Sequence, residues 1–207
     1  MGTDAEGKPM TPRPYQAGER RLAAREATRS KIIDAARELL AGRNASTFSI
    51  DAIAQRANVA RMTVYYQFKS KGNLLEALFD DFAARANMRD MRKVFQETDP
   101  VRALNVMIVV FCHLWETQGP LLRRLSALAA LDQQVDDALK ERGSWRREAI
   151  TKIVRRLPKR SGSDELIDIL HALTSFETYD ALAIHQKVSN KVVKLLQRTA
   201  AALVQAF

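Results

Sequence analysis

The side chains with the clearest chemical use lie on the outer face of a short predicted helix, residues 60–68. Residues three or four apart share one face of a helix, so Val64 and Phe68 point to the core and four other side chains point outward. These four are Arg61, Met62, Thr63 and Gln67. A guanidinium matches the two acceptors of guanine in a pair worth about 1 to 3 kcal/mol of discrimination, and methionine can pack on a thymine methyl. The face suits a DNA major groove, with a phosphate-only contact as the alternative for Arg61.

Catalytic and metal-binding patterns are missing from the sequence. The residues that could hold a metal on paper are Cys112, His113, His171, Glu177 and His185. No two of the histidine and cysteine residues have the i, i+4 or C-x-x-C spacing that favours a metal site. No nucleophile elbow, H-E-x-x-H pair or phosphate-binding loop is present. We therefore predict no enzyme activity, no metal and no cofactor.

Two short helices that meet at a tight corner must position the outer face described above. The first is marked by four apolar residues, Ile50, Ile53, Ala54 and Ala57. Ser49 can cap this helix, Asn58 tolerates the left-handed conformation that the corner needs, and Val59 closes the corner from inside. Two helices joined in this way form a helix-turn-helix, whose second helix enters a major groove.

Composition favours a polyanionic partner. The net charge is +9 over 207 residues. Residues 1–75 carry thirteen Lys and Arg against seven Asp and Glu, a net of +6, so the charge is concentrated around the helix-turn-helix. A single cysteine excludes an intrachain disulfide, and the longest apolar run, 106–112, is about a third of a membrane span. We expect a soluble cytoplasmic protein without a signal peptide or a membrane partner.

The segment from about Ile32 to Leu78 resembles the TetR/AcrR family of bacterial transcriptional regulators. The matching residues are Ile53-Ala54, Ala57-Asn58-Val59, Thr63-Val64-Tyr65-Tyr66, Phe68, Lys71 and Leu74. The set is specific, although its single elements are not. Two positions depart from the family pattern, since Asn58 replaces the usual glycine and Gly72 replaces an acidic residue.

The resemblance implies roles for the residues of the helix-turn-helix. The first three residues of its second helix would touch base edges, and Tyr65, Tyr66 and Lys71 would hold backbone phosphates. Ser49 either holds a phosphate at the start of the first helix or only caps it. Four arginines that precede the core form either a DNA-binding arm or a solvated lead-in, and they are Arg20, Arg21, Arg25 and Arg29.

Helical periodicity continues to the end of the chain and predicts an all-α fold of about nine helices. A first helix, capped by Thr28 or Ser30, ends near Gly42, and a long helix runs from Gly72 toward Thr98. The later helices are predicted at 100–118, 121–131, 132–157 and 164–184, and Gly119-Pro120 is predicted to end the first of them. A last helix is predicted after a break at Ser189-Asn190. We divide the chain into a disordered tail (1–18), a three-helix DNA-binding domain (19–75) and an effector-binding and dimerisation domain (76–207).

The resemblance also implies an effector pocket and a homodimer. Soft and aromatic residues available to line the pocket are Phe95, Met107, Phe111, His113, Trp115, Trp145, Phe176 and Tyr179. Ordinary core packing is the alternative for each single residue, but the set suits an apolar or aromatic small molecule. The last two helices would dock on a second copy, so that two recognition helices face a palindromic operator.

The sequence thus predicts a DNA-binding transcriptional regulator, a repressor released from its operator by a small effector. Two other classes remain open. An all-helical enzyme or carrier would keep the pocket but show no salt-dependent DNA affinity. A non-specific architectural protein would use the basic face without preferring any site.

Overall fold

Helices account for nearly all of the chain that the structure describes. The computed structural model describes residues 14–42, 48–158, 162–185 and 189–207, and no strand occurs in these ranges. The all-α prediction is confirmed. The helices are α1 (Pro14–Ala41), α2 (Ile50–Arg56), α3 (Arg61–Phe68), α4 (Lys71–Arg85), α5 (Met91–Gln96), α6 (Pro100–Ala129), α7 (Gln133–Val154), α8 (Ser163–Leu173), α9 (Phe176–His185) and α10 (Ser189–Ala206).

The helix-turn-helix forms where the sequence predicts it. The hydroxyl of Ser49 caps α2 by accepting from the amide N–H of Ala52 at 3.2 Å. Asn58 takes the left-handed conformation at the corner, with φ of 49°. The predicted inner residues of α2 are all buried, and Phe48 packs back onto the same core. The corner and both helix faces follow from local residues alone.

The first helix starts earlier than the sequence indicates. The prediction of a non-helical tail is wrong for residues 14–18, which open α1, while residues 1–13 lie outside the described ranges. Proline is tolerated in the first turn of a helix, where its missing N–H has no partner to lose. Further along α1, Arg25 and Arg29 contact α3, as described below.

The predicted long helix from Gly72 to Thr98 is interrupted. Asn87 adopts φ of 52° after α4, and a 3-10 turn at Met88–Asp90 leads into α5. A left-handed residue ends an α-helix because it redirects the chain. Ala86 and Val94 are nevertheless buried, as predicted. The spacing of apolar residues is helical on both sides of the break, so the sequence pattern does not reveal it.

Gly119 and Pro120 do not stop a helix, since α6 runs through both. An internal proline costs about 3 kcal/mol because it removes one backbone hydrogen bond. Packing offsets this cost, as Leu121, Leu122 and Leu125 on the following turns are all buried. Gly119 is buried too, and a Cβ there would lie 3.7 Å from the ring of Phe176. The two residues predicted as a terminator instead continue the core.

The predicted helix 164–184 is divided between α8 and α9. The hydroxyl of Ser175 accepts from the amide N–H of Thr178 at 3.1 Å and so caps α9. The indole N–H of Trp115 donates to the carbonyl of Thr174 at 3.3 Å, which satisfies a backbone group at the break. The prediction of a break at Ser189-Asn190 is wrong, because both residues are already helical.

One buried core extends from the helix-turn-helix to α10. Helices α1 and α4 pack on α6, and α4 also packs on α7. The expected boundary between residues 75 and 76 falls inside α4, so an unbroken helix joins the two predicted domains.

Candidate nucleic-acid interface and buried cavity

Helix α3 buries two side chains in the core and exposes two large ones. Val64 and Phe68 are 1% and 3% exposed, whereas Met62 and Tyr66 are 72% and 65% exposed. Met62 and Tyr66 therefore lie on the solvent side of the helix, opposite its two buried anchors. The outer face predicted from helical spacing is therefore present.

Arg61 stands on this face, but it is not unpaired. Its guanidinium lies 3.0 Å from a carboxylate oxygen of Asp51 on α2 and donates to the hydroxyl of Tyr65 at 3.4 Å. The Tyr65 hydrogen bond and the nearby Asp51 charge raise the pKa of Arg61, which stays protonated. Any ligand of Arg61 would have to compete with both partners. Asp51 was not predicted as a partner of Arg61, although it lies in the first turn of α2.

The remaining predicted contacts of α3 are less exposed. Thr63 and Gln67 are half-buried, and the amide of Gln67 donates to the carbonyl of Arg25 at 3.4 Å. Tyr65 packs its ring partly against the core, and its hydroxyl accepts from Arg61. Ser49 is exposed and occupied as a helix cap.

The basic lead-in is a helical extension of α1 that lies against α3. The guanidinium of Arg25 lies 5.9 Å from the ring of Tyr66, and that of Arg29 lies 4.4 Å from the ring of Phe68. Cation–π contacts of this kind orient a guanidinium without neutralising it. Arg25 is exposed, so its charge lies beside the outer face of α3.

Lys71, which the sequence analysis assigns to a backbone phosphate, is engaged within the protein. Its ammonium binds the carboxylate of Asp132, the cap of α7, and lies 5.6 Å from the ring of Phe48. The Lys71 side chain is only 15% exposed. Burial would raise the pKa of Asp132, but the Lys71 hydrogen bond and charge, with two backbone amides, hold it below its usual value. Lys71 thus joins the start of α4 to the start of α7.

A second set of ion pairs joins the same two helices. Arg142 of α7 lies 2.6 Å from a carboxylate oxygen of Glu76 and 2.7 Å from one of Asp80, both on α4. Burial is the main cause that raises the pKa of Glu76, with Arg142 opposing it. One oxygen of Glu76 and the Nε of Arg142 are buried without a hydrogen-bond partner. Arg142 also lines the cavity described next, so it touches both α4 and any occupant.

A cavity of about 390 Å³ lies between α4, α6, α7 and α9. This volume is within the range of small-molecule sites, roughly 300 to 1,000 Å³. Its lining is largely aromatic and aliphatic. It includes Phe79, Phe82, Met88, Met91, Phe95, Phe111, Leu114, Trp115, Leu122, Leu139, Trp145 and Phe176, with Arg142, Arg146 and Glu177 as charged members.

Five of the predicted pocket residues line this cavity: Phe95, Phe111, Trp115, Trp145 and Phe176. Three others do not. His113 is exposed, because it lies two residues from Phe111 and so on the opposite side of α6. Met107 is fully buried one turn before Phe111, and Tyr179 is 5% exposed in the core. Helical spacing identified the face of α6 but not where along it the cavity begins.

The structure does not assemble the metal-binding candidates of the sequence into a site. Among the described residues, no group of three or more His, Cys, Asp or Glu side chains could hold a metal ion. Burial, assisted by the charge of Glu116, raises the pKa of Cys112 to about 12, which keeps the thiol protonated. Within the same ranges, no helix combines the length and apolar character that a membrane crossing requires.

Comparison with known proteins places the helix-turn-helix among bacterial regulators. Residues 32–78 match the model of bacterial regulatory proteins, tetR family. The HTH-type transcriptional regulator AcrR of Shigella flexneri is 28% identical over 90 residues, 44% of this chain and 41% of that protein. SrpR, an HTH-type transcriptional regulator of Pseudomonas putida, is 42% identical over 53 residues, 26% of this chain and 25% of that protein. The matches thus span less than half of either relative.

The likeness in fold extends further than the likeness in sequence. The solved structure of a TetR-family transcriptional regulator from Syntrophomonas wolfei superposes with a TM-score of 0.69 at 17% identity. The match covers 86% of this chain and 95% of that one. At this identity the likeness shows the fold, with its N-terminal helix-turn-helix and helical remainder. The relatives are regulators of transcription and not enzymes, in agreement with the sequence prediction.

Proposed function

We propose that this chain, whose residues 32–78 match the model of the tetR family of bacterial regulatory proteins, is a cytoplasmic repressor of the TetR/AcrR type that binds a palindromic operator as a homodimer. A small, largely apolar or aromatic effector in the cavity would lower its operator affinity. Residues 19–75 would bind DNA, and residues 76–207 would bind the effector and dimerise.

The observation that carries the proposal is the exposed face of α3 beside the basic extension of α1. Met62 and Tyr66 are solvent-exposed although they are large, and Arg25 and Arg61 add two guanidinium groups to the same surface. Base edges are read by side chains at the start of a recognition helix, and phosphates are held by the charges around it.

Within this surface we assign different tasks to different residues. Arg61 would pair with a guanine, while Met62 would contact a thymine methyl and Thr63 a base or phosphate. Tyr65 and Tyr66 would bind phosphates through their hydroxyls, and Ser49 and Gln67 would flank them. Lys71 is left out of this set, because Asp132 already holds its ammonium.

The last three helices support the proposed dimer. Ile169 of α8 and Ile184 of α9 are 39% and 72% exposed. Exposed charges on these helices are also complementary, with Lys191, Lys194 and Arg198 on α10 and Asp164 and Glu165 on α8. A two-fold axis would set α8 of one copy against α10 of the other. The recognition helices would then be spaced for half-sites about 34 to 36 Å apart.

Coupling between cavity and operator would pass through α4 and α7. Arg142 lines the cavity and holds Glu76 and Asp80 of α4, while Lys71 at the start of α4 holds Asp132. An occupant that draws Arg142 away would release the middle of α4, which packs on α3. Coupling of this kind is typically about 1 to 3 kcal/mol.

The proposal is tested by selecting bound sequences from a random duplex pool. The selected duplex should be palindromic and bound at least about a thousandfold better than random DNA. The Arg61→Ala variant should lose discrimination at one base pair of each half-site, by about 1 to 3 kcal/mol.

The matched control is Arg56→Ala, because Arg56 of α2 is exposed and paired with Glu38 of α1. This variant should keep the base preference. Equal weakening of selected and random duplexes by Arg61→Ala would make Arg61 a phosphate contact. The absence of any selected sequence would contradict the repressor itself.

A further inference from the structure

A buried arginine in the cavity wall lacks a counter-charge. Arg146 of α7 is 9% exposed, and its guanidinium lies 6.0 Å from the ring of Phe111 and 5.8 Å from that of Trp115. All three side chains line the cavity. Charged residues are almost never this buried unless they are paired.

The hydrogen bonds of Arg146 within the described residues leave it incompletely satisfied. One terminal nitrogen lies 3.1 Å from the Nε2 of His171 and donates to the His171 carbonyl at 3.4 Å. Its Nε is buried and has no hydrogen-bond partner. No carboxylate of the described ranges forms an ion pair with it. The surroundings therefore orient the guanidinium without neutralising it.

The ring nitrogen of His171 that contacts Arg146 also has a second partner. The same Nε2 of His171 lies 2.9 Å from the carbonyl oxygen of Gly143. A single ring nitrogen cannot donate to that carbonyl and also accept from Arg146. Burial, followed by the charge of Arg146, lowers the pKa of His171, so the imidazole is neutral. One of the two contacts is therefore always unsatisfied, and when the Nε2–H donates to Gly143, Arg146 keeps only the His171 carbonyl as an acceptor.

The other charged groups of the lining do not replace a counter-ion. Arg142 is engaged by Glu76 and Asp80. Glu177 is exposed and forms no ion pair with Arg146, although its charge acts on it. Burial lowers the pKa of Arg146 to about 10, so the guanidinium still carries its charge at neutral pH.

The geometry points to an effector with a carboxylate that pairs with Arg146 and an aromatic or aliphatic body that fills the rest of the cavity. This inference rests on the proposed effector-controlled function. A carboxylate matches a guanidinium in planar, two-point geometry, and it needs only one arginine. The aromatic lining would cover the body, with the exposed side chains of Phe95 and Trp145 at the entrance.

The test compares two probes of nearly equal shape, 4-phenylbutanoate and its neutral amide, by calorimetry on the full-length protein. Tryptophan fluorescence is a second readout, because both tryptophans of the chain line the cavity. The wild type should bind the carboxylate about ten- to a hundredfold more tightly than the amide, since the amide cannot form a hydrogen bond between two charged groups.

Two variants locate the preference. Arg146→Met should abolish it and leave amide affinity within about twofold, since Met retains an apolar body. Arg147→Met is the matched control, because Arg147 is exposed and bound to Asp168 at 2.6 Å, and it should keep the preference. Retained amide binding shows that the Arg146→Met cavity is intact.

Several results would overturn the inference. They are equal wild-type affinity for both probes, binding of neither probe, and a carboxylate preference that persists in Arg146→Met. Operator binding without any probe is measured separately on the same samples. Carboxylate selectivity without operator preference would refute the repressor and leave the anion site, whereas operator release by both probes alike would refute only the anion site.

Discussion

Lys71 offers the sharpest contrast between two interpretations of one residue. As a phosphate contact it would contribute to DNA affinity, and as a bridge to Asp132 it would contribute to stability. We predict that Lys71→Gln lowers the free energy of unfolding and leaves the salt dependence of DNA binding unchanged.

The expected loss of unfolding free energy depends on how far the Lys71–Asp132 ion pair is shielded from solvent. Exposed ion pairs contribute about 0 to 1 kcal/mol, and hydrogen bonds to charged groups contribute about 1.5 to 3 kcal/mol. The two side chains are 15% and 29% exposed, so the pair lies between these cases. We expect a loss of about 1 to 2 kcal/mol. Asp132→Asn should cost a similar amount, because asparagine keeps the cap of α7 and removes only the charge.

Urea unfolding of the wild type, both single variants and the double variant, at one protein concentration, measures the coupling. The double variant should lose little more than either single variant. The matched control is Lys69→Gln, since Lys69 is exposed at the end of α3 and near the ring of Tyr66. That variant should reduce the salt slope by about 0.9 for each phosphate that is no longer neutralised. Additive losses of stability in the cycle, or a reduced salt slope for Lys71→Gln, would refute the bridge.

Three further predictions concern other sites. Asp51→Asn should strengthen binding to all duplexes in fluorescence anisotropy, because it removes a negative charge from the DNA-facing surface and frees Arg61; weaker binding would contradict this. Arg146→Met should raise the stability of the effector-free protein by about 1 to 3 kcal/mol in urea unfolding, because an uncompensated buried charge is removed. A loss of stability would show that Arg146 is satisfied. Cys112 should resist iodoacetamide in the native state and react once urea unfolds the chain, as mass spectrometry would show.

Local residues were sufficient to predict the helix-turn-helix. Ser49, Asn58 and Val64 each act within one turn of their own position, as a cap, a left-handed corner and a core contact. The outer face of α3 then follows from helical geometry.

Contacts distant in sequence account for what the sequence could not reveal. Lys71 matches a family pattern, but its partner Asp132 lies 61 residues further on. Arg146 belongs to a charged helix, and such charges usually face solvent, so only the packing of α6 and α9 shows its burial. Pro120 was predicted to end a helix because the sequence does not show how the following residues pack in the core.

We propose that this chain binds a specific duplex through α3 and releases it when an effector binds. The most direct test is competition anisotropy with the selected palindrome against random duplex, at several salt concentrations, with and without 4-phenylbutanoate. We expect at least about a thousandfold preference for the palindrome, and a lower affinity when the carboxylate is present. Binding that is equally strong for random DNA, and is weakened only by salt, would contradict it.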